Sequence, residues 1–244
     1  MGTAVMITSG KGGTGKTSLT AGVASCLAAL GNRVLCIDLD IGLRNLDIAL
    51  GLADRAVMDF SDVMEHRCPL LTAAIEHPDI RGLYLLTAPL SLADPDLDAF
   101  RALVADAKDC FDFVFMDSPA GLGAGFQLAM AAADRAILVS ATDPAALRDA
   151  QMAVSQLIGQ VDQLHVVMNR VQPKLMRRLR TSIDQAMDTA GLPLLGVVPE
   201  DQMVTMAAAS GVPVVLTTYK GAAPAYLNIA RRLRGRRVPL LRIR

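Results

Sequence analysis

The chain has 244 residues, 52% of them hydrophobic but 4% aromatic, and its 24 Lys and Arg balance 24 Asp and Glu. That is long for one α/β domain and short for two, and without a Pro/Gly/Ser-rich linker it reads as one domain with a core of Ala, Leu, Val, Ile and Met. Zero net charge argues against a nucleic-acid binder acting through its overall field, no apolar run is long enough to span a bilayer, and the separated Cys26, Cys36, Cys68 and Cys110 point to buried thiols rather than disulfides or a metal cluster.

The N-terminus shows no signal-peptide pattern, so a cytoplasmic protein is expected. It opens on the apolar run Ala4–Thr8, of strand type, and Ser18 to Leu30 follows with Leu19, Val23, Leu27 and Leu30 on one helix face. Between them lies Gly10-Lys-Gly-Gly-Thr-Gly-Lys-Thr17, which fits G-x-x-x-x-G-K-[ST]. In that pattern backbone N–H groups cradle phosphate oxygens, the second lysine reaches the β/γ-phosphates and the last hydroxyl serves Mg²⁺. Gly10, Lys11, Gly12, Gly13, Thr14, Gly15, Lys16, Thr17 and Ser18 are therefore the candidate nucleotide-binding residues, with Lys16 as the catalytic cation. Lys11 is a surplus lysine. A loop with oriented amides, a helix N-terminus and one ammonium needs no further cation for its own phosphates, so Lys11 is expected to reach the nucleotide of a second subunit, as an arginine finger does in trans. The plain alternative is a solvated loop lysine.

Further apolar runs of strand length occur at Arg33–Asp38, Leu83–Thr87, Phe113–Asp117, Arg135–Ala141, Leu164–Asn169 and Leu194–Val198, with helical periodicity between them. Continuous rather than alternating hydrophobicity implies strands covered on both faces, and the βαβ order implies right-handed crossovers. The expected fold is a doubly wound, mostly parallel α/β sheet flanked by helices, a P-loop NTPase with ligands at the C-terminal strand ends. The Ala-rich stretches at Ala129–Ala136 and Met206–Ala209 read as helix. Arg177, Arg178 and Arg180 read as the polar face of an amphipathic helix whose Leu175, Leu179 and Ile183 turn inward.

Acidic residues end two of the strands. Asp117, in Phe113-Val-Phe-Met-Asp117-Ser-Pro-Ala-Gly121, resembles a Walker-B carboxylate for Mg²⁺, with Asp38 behind it and Asp40 placed to orient or deprotonate the attacking water. Thr17, Asp38 and Asp117 are thus the metal candidates. Segment Ser118–Gly121 is expected to meet the γ-phosphate through a backbone amide, since Gly121 permits close approach. The competing reading for each aspartate is a cap on the following helix. His66, His77 and His165 have no metal-ligand spacing, and no nucleophilic triad appears.

Asn169-Arg170 continues as Val171-Gln172-Pro173, without the Lys-x-Asp that accompanies a guanine-reading asparagine. Adenine is favoured, with Asn169 on its edge, Arg170 a nucleotide-binding candidate beside it, and Pro199, Glu200 and Asp201 framing the ring; Asn169 as an ordinary turn residue remains the alternative.

With Lys11–Thr17, Asp38-Leu-Asp-Ile-Gly-Leu-Arg-Asn-Leu-Asp47, Asp117-Ser-Pro-Ala-Gly121 and Tyr226-Leu-Asn-Ile-Ala-Arg-Arg232 in place, the chain resembles the MinD/ParA family of deviant Walker-A ATPases over nearly its whole length. The second motif separates it from the family's partition ATPases, which usually carry an Asp-Pro-Gln-Gly type sequence there. The resemblance implies a homodimer driven by ATP and Mg²⁺, Lys11 on the partner's nucleotide, Asp40 assisting hydrolysis, and Asp149 pairing with Lys11 near the interface. It also implies recruitment of a division inhibitor to the membrane and a hydrolysis-stimulating factor. A DNA-binding partition or positioning ATPase and a flagellar-number regulator are the alternatives within the same family.

Two features depart from the family pattern. In Thr142-Asp-Pro-Ala-Ala146 alanines stand where an acidic residue is common, which puts a ribose contact there in doubt. The sequence runs to Leu240-Leu-Arg-Ile-Arg244, with five residues after Pro239 where relatives usually continue into an amphipathic membrane-targeting helix. The expectation is a single ATPase domain at 1–235 and a peripheral basic tail at 236–244, with little surface to bury and weak attraction to anionic lipid at the inner face of the membrane.

Overall fold

A strand covered on both faces has to send alternate side chains into two separate cores, and this is how the apolar runs are used. The computed structural model describes residues 1–92, 94–241 and 243, with the backbone alone at Leu179. In chain order the elements are β1 (Thr3–Thr8), α1 (Lys16–Ala29), β2 (Val34–Asp38), α2 (Leu46–Leu50), α3 (Phe60–Met64), α4 (Leu70–Ala73), β3 (Ile75–Glu76), β4 (Leu83–Leu86), α5 (Leu97–Cys110) and β5 (Phe113–Asp117). There follow α6 (Ala124–Ala132), β6 (Arg135–Ser140), α7 (Pro144–Leu157), β7 (Gln163–Val171), α8 (Pro173–Leu179), α9 (Ile183–Ala190), β8 (Leu194–Pro199), α10 (Gln202–Ala209), α11 (Val214–Thr217) and α12 (Ala223–Leu233).

The strands form one sheet in the order β3-β4-β2-β5-β1-β6-β7-β8. All pairings are parallel except β3 with β4, a two-residue antiparallel edge too short to read from sequence. Val5, Ile7, Val34, Cys36, Phe113 and Phe115 face the core built with α1 and α12. Their neighbours Ala4, Met6, Leu35, Ile37, Val114 and Met116 face the core built with α5 and α6. A third cluster joins α7 and α9 to β6, β7 and β8 through Leu138, Val154, Met168 and Val197. The doubly wound P-loop fold expected from the sequence is the one observed.

Some local expectations change. The Ala129–Ala136 stretch leaves its helix at Ala132, and Arg135 already belongs to β6. The arginine-rich helix is two helices: Arg180 turns left-handed (φ 53°) to close α8, and Ser182 begins α9 with a capping box to Gln185. Leu175 is therefore 47% exposed while its neighbour Met176 is buried; Ile183 packs inward as expected, and the Leu179 side chain lies outside the described residues. The tail is less peripheral than the sequence suggests. Arg232 donates to the carbonyl oxygens of Val238 (2.7 Å) and Leu195 (2.7 Å), and Leu241 and Ile243 pack against the first and third cores. Arg242 and Arg244 lie outside the described residues.

Candidate nucleotide-binding site

The site is assembled where β1, β2 and β5 end side by side. Their register places Asp117 opposite both Ile7 and Asp38, so the phosphate loop leaving β1 descends past two carboxylates. Gly15, left-handed at φ 88°, starts α1, whose first turn has no side-chain cap and no acidic residue. Its leading N–H groups are thus open to an anion, and the helix dipole favours one.

Inside the loop the Lys16 ammonium is buried and donates to Ser9 Oγ at 3.0 Å. Burial lowers its pKa, and the nearby Asp117 and Asp40 charges oppose that shift. The Thr14 hydroxyl is buried with no partner, and a Cβ at Gly12 or Gly13 would meet open space. An orphaned donor, a desolvated cation and uncapped amides around a backbone with no side chains in the way fit a polyphosphate.

Asp117 lies 3.0 Å from the Thr20 hydroxyl. Burial pushes its carboxyl up to about 6 against the opposing Thr17 and Thr20 hydroxyls and Lys16. Thr17 and Asp117 together are hard oxygen donors of the kind Mg²⁺ takes alongside phosphate and water, and a divalent ion would offset the burial of the carboxylate. Asp38, placed from sequence behind Asp117 and among the metal candidates, has both carboxylate oxygens on backbone amides, those of Asp40 (2.9 Å) and Leu46 (3.0 Å), so it ties down the loop that carries Asp40. Burial first and the Asp117 charge second push Asp38 up to about 7. The Asp40 carboxylate accepts from Asn45 Nδ2 at 3.1 Å and is close enough for its charge to act on Lys16.

Lys11 does not use its own loop. Its ammonium lies 3.2 Å from Asp143, not Asp149 as the resemblance implied; Asp149 instead presents its backbone to Gly10, where a Cβ would collide with it. The Ser118 amide, one of those offered to a γ-phosphate, donates to Ile7 O at 3.0 Å, and Pro119 has none, which leaves Ala120 and Gly121. Gly121 is left-handed (φ 88°) with open space beside it.

At the other end, Gly13, Gly15, Ser18, Asn169, Arg170, Pro199, Glu200, Asp201 and Tyr226 line a cavity of about 240 Å³. The residues chosen from sequence to frame a base do come together. Two of them are busy, however: Asn169 Nδ2 donates to Thr14 O (2.7 Å), and Asp201 caps α10 through Met203 N and accepts Ala222 N. Ser9, Thr20 and Asp143 were not foreseen. Nothing local marks Ser9 or Thr20, and Asp143 shows only the Asp-Pro signature of a helix start, which it is, accepting Ala146 N.

A parallel sheet with this loop between its central strand and the following helix defines a P-loop nucleotide-binding protein. Residues 5–214 match the family described as CobQ/CobB/MinD/ParA nucleotide binding domain. The chain is 38% identical over 246 residues to the septum site-determining protein MinD of Bacillus subtilis, covering 98% of this chain and 92% of that one. It superposes on MinD in the MinC:MinD cell division complex of Aquifex aeolicus with a TM-score of 0.92 at 36% identity, over 98% of each chain. MinD of Pyrococcus horikoshii, solved with Mg-ADP, matches at a TM-score of 0.83 and 28% identity, over 96% of each chain. The chain belongs to the MinD/ParA family of nucleotide-binding ATPases.

Proposed function

We propose that this chain is a switch ATPase that binds ATP with Mg²⁺, closes into a homodimer, hydrolyses the nucleotide slowly and thereby regulates placement of the division septum. The observation that carries the reading is the division of labour between its two loop lysines. Lys16 is buried on its own phosphate cradle, while Lys11 turns away and forms a half-exposed pair with Asp143. Such a pair is worth at most about 1 kcal/mol, so Lys11 is readily released to a phosphate presented by a second subunit. Asp40, on its anchored loop, orients the attacking water, and Asp149 stays on the interface side, beside Gly10 and the Lys11 loop. The MinC:MinD complex of A. aeolicus supports a division inhibitor as one partner; the other proposed partner is a factor that stimulates hydrolysis. Among the described residues no helix is long and apolar enough to cross a membrane, and the place of action is the cytoplasm, with peripheral contact to an anionic inner face. The exposed Arg177, Arg178 and Arg180 favour a second reading, a positioning ATPase whose ATP dimer binds DNA.

Light scattering with ATP and with ADP, joined to co-sedimentation with anionic vesicles and with duplex DNA, tests both. ATP should double the mass, and Lys11→Ala should keep nucleotide binding while losing the dimer. Vesicle binding by the ATP form supports the division reading; DNA binding without vesicle binding overturns it. An unchanged dimer in Lys11→Ala overturns the role of Lys11 in trans.

A further inference from the structure

Opposite Met168–Val171 of β7 the partner strand β8 offers only Val197–Pro199, so β7 carries one extra residue at Asn169–Arg170. Arg170 is its left-handed member (φ 55°), an unusual backbone for a side chain with a Cβ. A bulge re-aims side chains, and this one aims two consecutive residues at two consecutive carbonyls of the phosphate loop. Arg170 Nη1 donates to Gly13 O at 2.9 Å, and Asn169 Nδ2 donates to Thr14 O at 2.7 Å. The remaining guanidinium edge forms a fork with Glu200, Nε to Oε2 at 2.8 Å and Nη2 to Oε1 at 3.2 Å.

The peptide unit is planar and trans, so fixing a carbonyl in one direction fixes the next N–H in the other. Pinning Gly13 O and Thr14 O outward therefore turns the amides of Thr14 and Gly15 the opposite way, toward the cradle. At Gly13, where no side chain restrains the backbone, the guanidinium is what holds the peptide. Arg170, Gly13 and Glu200 also form the wall shared by two cavities. One is the base-side cavity described above; the other, about 380 Å³, is lined by Lys11, Thr142 and Asp143.

We infer that Arg170 is a positioning residue for hydrolysis: held by Glu200, it sets the Gly13 peptide and so couples the occupancy of the base-side cavity to the attitude of Lys11, two residues away. It touches no reacting atom in this arrangement. The catalytic half of the inference rests on the dimer-switch reading; the loop-holding half does not.

Arg170→Lys is the discriminating variant, because one ammonium keeps the charge but cannot satisfy Glu200 at two points and reach Gly13 as well. Two measurements are needed. Amide hydrogen exchange in the nucleotide-free protein should accelerate at least tenfold at Gly13–Gly15 while the interior of α1 keeps its protection. At saturating ATP, kcat should fall at least tenfold with KM rising less than threefold. Glu200→Gln should lie between parent and Arg170→Lys in both, and it carries the test if Arg170→Lys does not fold. Unchanged exchange in the loop overturns the clamp. A raised KM with kcat intact overturns the catalytic half, since Arg170 then serves nucleotide binding and not hydrolysis. A parent that neither dimerises nor hydrolyses ATP removes the switch reading, and the exchange measurement still decides the clamp.

Discussion

The Thr14 hydroxyl is buried in the phosphate loop with no hydrogen-bond partner, although its own backbone carbonyl is well held by Asn169. A buried donor without a partner costs about 1–3 kcal/mol, and it is tolerated where a ligand supplies the acceptor. Thr14→Val keeps the branched shape and removes the orphan. The variant is expected to be more stable than the parent by roughly 1 kcal/mol without nucleotide, seen as a melting rise of about 2–4 °C for a chain of this size. ADP affinity should fall about tenfold in calorimetry, the loss of one hydrogen bond to a charged acceptor. A variant that gains stability with unaltered affinity would show that the hydroxyl faces no ligand. At this scale the sequence carried the loop itself, because a phosphate cradle needs eight consecutive residues. It did not carry Ser9, whose hydroxyl is defined only once the loop closes on Lys16, or Thr20 and Asp143, whose roles arise where distant segments meet; the Asp149 partner for Lys11 came from the resemblance, and within one chain Lys11 pairs with Asp143.

Among the elements, β3 pairs antiparallel with β4 at the edge of the sheet. His77 follows β3 and is buried; its Nδ1 accepts the amides of Asp79 and Ile80, each at 3.1 Å. An imidazole that accepts at Nδ1 has to be neutral there. Burial lowers its pKa, the Leu50 carbonyl at the end of α2 and the Asp79 charge oppose the shift, and Arg55 adds to it. The sign follows from linkage: below the ordinary histidine value of about 6.5 the unfolded chain binds the proton while the folded chain resists it, so stability is lost as pH falls. Urea midpoints measured from pH 7.5 to 5.5 should therefore drop more steeply for the parent than for His77→Gln, whatever the offset between them. The raised Asp38 and Asp117 act in the opposite direction, but they are common to both proteins and cancel in the comparison. Equal slopes would mean that His77 titrates as it does in the unfolded chain. Long elements were legible because strands buried on both faces are continuously apolar. Short ones such as β3 were not, nor was the break between α8 and α9, since nothing in the residue type of Arg180 announces a left-handed backbone.

For the molecule as a whole, the three cores meet at the sheet, and the chain returns after α12 to cover the end of the sheet remote from the nucleotide. Helix α12 closes with Gly235 left-handed and Arg236 N on Arg231 O. Arg232 then clasps Val238 to Leu195 at the start of β8, whereas Glu200, at the far end of that strand, belongs to the site. Arg234 reaches Leu30 O, just past the C-terminal end of α1, and the 14 residues of that helix separate it from the phosphate loop by roughly 21 Å at 1.5 Å per residue. Deleting residues 236–244 thus removes the partly buried Leu241 and Ile243 and leaves the Arg232 guanidinium without one acceptor. At roughly 25 cal/mol per Å² of apolar surface, half-burying two aliphatic side chains is worth about 2–3 kcal/mol. The expected result is a melting temperature lower by about 5–10 °C, with ADP affinity within twofold of the parent because the contacts of the described residues removed lie at the start of β8 and in the cores, away from the strand ends that hold the loop. Leu241→Ser with Ile243→Ser should reproduce most of the loss, which separates packing from the removal of arginine charge. A truncated chain that melts with the parent would return the segment to the peripheral role its composition suggests, and one that loses ADP binding would show that the far end of the sheet communicates with the phosphate loop.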